Sequence, residues 1–181
     1  MSRRAGSGPP GDLAAFYADQ FDRVCGSLVL FTGSRDVGEE LAQEAFVRAC
    51  QHWEKVREAD SPGAWVQRVG INLAISRGRR LQTERRPHRR MRTDHVETSA
   101  VDEGGTELRA ALLALGADER AVVVLRFYAD LSVAQVAEVL QIPEGTVKTR
   151  TRNGLKGLRE AGLEAALSDD AGQAVEGEVA R

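Results

Sequence analysis

Between residues 144 and 152 the chain reads Glu-Gly-Thr-Val-Lys-Thr-Arg-Thr-Arg. On a helix, Val147, Thr151, Leu155 and Leu158 share the inner side. Glu144, Gly145, Thr146, Lys148, Thr149, Arg150 and Arg152 are left at or near the solvent face. These residue types suit the major groove of DNA: Lys and Arg donate to guanine, and Thr meets a thymine methyl or a phosphate. The open amides at such a helix start also suit a phosphate. Lys156 and Arg159 lie further along and are expected to reach backbone or solvent. The competing reading of the same residues is the solvated face of an ordinary helical hairpin.

A second basic feature lies upstream. Residues 77 to 92 hold Arg77, Arg79, Arg80, Arg85, Arg86, Arg89, Arg90 and Arg92 against one acid, Glu84. The net charge is only -2, because acids outnumber bases before this block and the tail carries Glu164, Asp169, Asp170, Glu176 and Glu178. Such segregation points to different partners for different segments. Bond-making chemistry finds little support. His52, His88 and His95 lack metal-ligand spacing, and neither a phosphate-binding glycine loop nor a Ser/His/Asp context occurs. Cys25 and Cys50 read as small apolar residues on helix faces. No catalytic residue, metal or cofactor is expected.

Several elements must position these residues. Ser132 with Gln135 has the spacing of a capping box, and Val133, Val136, Ala137 and Leu140 form the buried face behind it. Gln141-Ile142-Pro143 breaks the pattern before Glu144 opens the basic helix. This is the organisation of a helix-turn-helix, with Ala137 allowing close approach and Ile142 plugging the gap. Gln141 occupies a turn position suited to glycine, at a cost of about 1 kcal/mol if the left-handed geometry is kept. Upstream, Leu108, Leu112, Leu113 and Leu115 begin the rear half, and Asp118 is expected to cap the helix carrying Val122, Val123, Leu125 and Tyr128.

The front half shows three stripes. Asp12 can cap the stripe of Leu13, Tyr17, Phe21, Val24, Cys25 and Leu28; Asp36, spaced from Glu39 as an acidic cap pair, is expected to cap that of Val37, Leu41, Ala45, Ala49 and Trp53; Ser61-Pro62 starts a third with Trp65, Val66, Val69, Leu73 and Ala74. Gly78 predicts early fraying at that helix's end. Residues 81–106 have almost no apolar periodicity. The organisation is therefore all-α: a loose 1–11, a helical domain over 12–80, a flexible linker over 81–106, a helix-turn-helix domain over 107–167 and an acidic tail over 168–181. No run of about 18 apolar residues occurs, and MSRRAGSGPPGD lacks the apolar stretch of a signal peptide, so a cytoplasmic location is expected.

Three stretches narrow the reading. Residues 38–46 read G-E-E-L-A-Q-E-A-F. Residues 62–80 carry Pro62, Trp65, Arg68, Asn72, Leu73, Ala74 and Arg79-Arg80. Residues 145–150 read G-T-V-K-T-R. In this order they resemble the extracytoplasmic-function sigma factors of bacterial RNA polymerase, with an actinobacterial flavour near the start. Ser76 departs from a common Asp in that pattern. The resemblance implies docking of Glu40, Gln43, Glu44, Phe46 and Arg48 on the clamp helices of the polymerase's largest subunit. It implies contact of Trp65, Arg68, Asn72, Arg77, Arg79 and Arg80 with the −10 promoter element, and of Glu144, Gly145, Thr146, Lys148, Thr149, Arg150 and Arg152 with the −35 element. The polymerase flap would be touched by an apolar patch that the sequence does not define. An anti-sigma protein remains an open further partner. Core packing is the competing role for Phe46, Trp53 and, before any other, Trp65. A stand-alone helix-turn-helix regulator is the alternative function, and it leaves the front half unexplained.

Overall fold

The helix boundaries fall where local chemistry can satisfy the terminal backbone groups. In the computed structural model, which describes residues 11–84 and 103–162, the order is α1 (Gly11–Thr32), α2 (Arg35–Gln51), α3 (Trp53–Arg57), α4 (Pro62–Glu84), α5 (Glu103–Ala114), α6 (Ala117–Val123), α7 (Val133–Leu140) and α8 (Glu144–Glu160). A π-helical stretch, Val124–Tyr128, continues α6. No strand occurs among the described residues.

The capping box of α7 is formed: Gln135 N donates to Ser132 Oγ at 3.1 Å and Ser132 N to Gln135 Oε1 at 2.8 Å. Ser61 Oγ accepts from Ala64 N at 3.3 Å at the start of α4. Two expected caps differ. Ser34, not Asp36, caps α2, accepting from Val37 N, and Gly116 precedes α6 while Asp118 sits inside its first turn. There the acidic groups still complement the helix dipole. The expected fray at Gly78 is also absent, since α4 runs on to Glu84. A lone glycine costs about 1 kcal/mol, less than a continuing helix recovers.

In the front half α1 packs along α2 and α4. Val24, Leu28, Leu41, Val66 and Ile71 fill the contact, with Ala42, Ala45 and Ala49 letting the axes approach. Phe16, Tyr17, Phe21, Phe46 and Trp53 form an aromatic cluster with centroid separations of 4.7 to 5.9 Å. Gln67 Nε2 donates to Ser27 Oγ at 3.0 Å, a buried polar tie between α4 and α1. In the rear half α8 lies against α6 and α7, around Val122, Leu125, Val136, Val139 and Val147.

The halves do not stand apart. One apolar cluster runs from Leu13 through Val147, and Leu30 of α1 packs into a second cluster with Ala111, Leu112, Val123, Val124 and Leu158. Glu84 and Glu103 end helices that enter the 81–106 stretch from both sides. The remainder of that stretch, the first ten residues and the acidic tail after residue 162 lie outside the described residues.

Candidate nucleic-acid interface

The turn before α8 sets the direction of that helix. Gln141 adopts φ 55°, ψ 46°, the left-handed region anticipated for this position. Its amide side chain donates to Glu138 O at 2.8 Å, and Ile142 N donates to Ala137 O at 3.0 Å. Val147 and Leu158 are fully buried beneath α8. At Gly154 a methyl group would lie 2.6 Å from Val123 Cγ2, so α8 and α6 approach more closely than any side chain permits.

On the opposite side Glu144, Gly145, Lys148, Thr149 and Arg152 are exposed, with Thr146 and Arg150 half-buried. Thr149 and Arg150 have local duties. Thr149 Oγ1 donates back to Gly145 O at 3.0 Å, and Arg150 Nη2 pairs with Asp118 Oδ2 at 2.5 Å. Arg150 therefore links α8 to the first turn of α6. Among the described residues α8 packs chiefly on α6 and α7.

The six candidates on α4 divide. Trp65, Arg68 and Asn72 follow one helical stripe; Trp65 packs onto the core edge, Arg68 is half-buried and Asn72 is exposed. Trp65 and Arg68 line a cleft of about 540 Å³ facing Gln135, Glu138 and Val139. Arg77 and Arg80 point elsewhere, into a groove of about 630 Å³ between α4 and α2. Arg77 Nη1 donates to Glu40 Oε2 at 2.8 Å across it. Arg79 is exposed.

On α2, Glu40, Gln43, Glu44 and Arg48 are exposed, and Arg48 pairs with Glu44 at 2.8 Å. Phe46 is not on this face. It is 4 % exposed and packed among Phe16, Tyr17 and Phe21, so its work is to hold α2 in place. The apolar residue that does sit on the face is Val47, 51 % exposed beside Gln43 and Glu44. Helical spacing from Glu40 through Gln43 and Glu44 to Val47 carries that signal in the sequence. Arg120 also escaped sequence reasoning. Its guanidinium sits 5.7 Å from the Phe31 ring and donates to Phe31 O and Leu115 O, and burial pushes its pKa down. No group of three or more His, Cys, Asp or Glu arranged for a metal occurs among the described residues.

Residues 17–84 match the Sigma-70 region 2 family, and residues 111–160 match Sigma-70, region 4. The chain is 33 % identical over 134 residues to the ECF RNA polymerase sigma factor SigL of Mycobacterium tuberculosis, covering 71 % of this chain and 76 % of that protein. It is 28 % identical over 164 residues to ECF sigma factor SigW of Bacillus subtilis, covering 82 % and 86 %. Among solved structures, it superimposes at a TM-score of 0.72 and 17 % identity on the sigma factor RpoE in complex with the anti-sigma factor NepR from Bartonella quintana, over 86 % of this chain and 99 % of that one. CnrH in complex with the cytosolic domain of CnrY gives 0.56 and 18 %, over 82 % and 85 %.

Proposed function

Because the chain belongs to the ECF RNA polymerase sigma factors and so directs promoter-specific initiation, we propose that α8 reads the −35 element while α4 meets the −10 element and α2 docks on the polymerase clamp. The observation that carries this reading is the division of α8. Its inner side is closed by Val147, Gly154 and Leu158, and its outer side presents Lys148, Thr149 and Arg152 to solvent. A helix held this firmly can enter a major groove without rearranging.

Arg77, Arg79 and Arg80 supply phosphate contacts at the −10 side, since each cation placed on a phosphate releases counterions. Glu40, Gln43, Glu44, Val47 and Arg48 form the docking face, with Phe46 behind it. The protein acts by recognition and leaves bond-making to the polymerase. It works in the cytoplasm, where the polymerase is; no described helix is long and apolar enough to cross a membrane. A stand-alone helix-turn-helix regulator is disfavoured, because the front half matches Sigma-70 region 2.

Charge reversal separates the two faces. Lys148→Glu with Arg152→Glu should abolish −35-dependent run-off transcription while capture of core polymerase persists. Glu40→Lys with Glu44→Lys should weaken capture instead. Undiminished run-off by the Lys148/Arg152 variant would remove α8 from promoter reading.

A further inference from the structure

The flank of α8 that meets α6 is built around one exposed acid. Arg150 Nη2 lies 2.5 Å from Asp118 Oδ2, with the Arg150 side chain 28 % exposed and that of Asp118 63 % exposed. An ion pair this open to water adds little to stability. An acid beside a helix that reads DNA also repels phosphate. Neither stability nor net charge accounts for Asp118, which leaves its effect on Arg150.

Helical phase places Arg150. Each residue of α8 turns its side chain by about 100°, so with buried Val147 pointing inward, Lys148 stands about 100° to one side and Arg150 about 60° to the other. Thr149 and Arg152 occupy the outward sector, between about 140° and 200°. Arg150 is thus too far round the helix to share the base edges that Thr149 and Arg152 can face. It stands level with a groove wall, where the phosphates run. Its mount is rigid. Gly154, one turn beyond Arg150, brings α8 so close to α6 that a methyl would lie 2.6 Å from Val123 Cγ2 and 3.5 Å from Glu119 Cβ, and Glu119 is the neighbour of Asp118. The far end of the same element has its own seat: the Tyr128 ring lies against α1 at Gly26, where a methyl would fall 2.5 Å from Cζ.

Resting on the α8 reading above, we propose that Asp118 is a positioning residue for −35 recognition: it fixes the guanidinium of Arg150 as a clamp on a phosphate at one wall of the major groove. A guanidinium carries five N–H donors in a planar fork, so the Nη2 bond to Asp118 sets the plane while the remaining donors meet phosphate oxygens. The ordering of a long side chain is then complete before DNA arrives. Arg150 sets the register of α8, and the outward residues read the sequence.

Full-length chains with core polymerase, and a promoter enriched by the parent holoenzyme from a randomised pool, provide the test. Asp118→Asn keeps the size of the side chain and removes its charge. In the parent it should weaken promoter binding by about two- to tenfold, the range for ordering one long side chain. With Arg150→Gln already present, the same change should strengthen binding by about twofold, since only repulsion of phosphate is left to relieve. Arg150→Gln alone should lower the slope of the salt dependence by about one and leave the enriched sequence unaltered. No effect of Asp118→Asn in the parent, or the same direction in both backgrounds, overturns the positioning role. Lost preference at a single −35 base pair in Arg150→Gln overturns the phosphate assignment. Undiminished run-off by the variant with Lys148→Glu and Arg152→Glu overturns the α8 reading itself.

Discussion

Replacing Gly154 by alanine measures how tightly α8 is seated. The added methyl would lie 2.6 Å from Val123 Cγ2 and 3.5 Å from Glu119 Cβ and O. Carbon atoms prefer about 3.5 to 4.0 Å, so the overlap with Val123 is roughly 1 Å. Overpacking of this kind costs about 1 to 3 kcal/mol, while Gly to Ala within a helix returns about 1 kcal/mol. The net expectation is destabilisation by about 0 to 2 kcal/mol, with α8 pushed away from α6. Val123→Ala alone deletes two buried carbons, worth about 1.6 kcal/mol by transfer plus a cavity term. In the double variant the new methyl enters that space, and the two losses should fall short of additive by about 1 kcal/mol. Urea titration of the four proteins gives the coupling energy; anisotropy with a −35 duplex should show weakened binding for Gly154→Ala and partial recovery in the double variant. Strict additivity, with Gly154→Ala stabilised by the full helix-propensity gain, would refute the seating of α8 on α6.

Two further outcomes follow from single residues. Gln141→Gly should raise stability by about 1 kcal/mol, because φ 55° strains a side chain and the exposed bond to Glu138 O recovers little; a lower urea midpoint would contradict this. In thiol labelling, Cys50 should react first and Cys25 later. Burial, then Glu39, raises the Cys25 pKa, so less thiolate is present at a given pH and its rate should climb as pH rises. Peptide mapping of the labelled chain at two pH values reads both rates.

Where a feature depends on local spacing, the sequence made it legible. The box at Ser132 and Gln135, the proline start of α4, the left-handed turn at Gln141 and the inward Val147 are all neighbour-to-neighbour effects. The outward set on α8 follows from the same periodicity. What was not legible depends on which helix packs against which. For Phe46 the sequence leaves docking face and core packing both open, and the core role appears only when α1 brings Phe16, Tyr17 and Phe21 over it. Arg150 reads as a DNA contact, but its bond to Asp118 arises only once α6 lies beside α8. Arg77 and Arg80 separate from Trp65, Arg68 and Asn72 because α2 claims one side of α4. The bond from Arg120 to α1 has no local signature, since Phe31 O lies 89 residues away.

The stretch Val124–Tyr128 decides a matter of phase. Ala129 N donates to Val124 O at 3.0 Å, a reach of five residues in place of four. An ordinary α-turn over the same segment would have one residue fewer, and each residue of an α-helix rotates its side chain by about 100°. Trimming that surplus residue would swing the phenol ring about a quarter-turn off its seat on the first helix. The widened loop of backbone thus works as an angular shim between the module that opens the chain and the one that ends it.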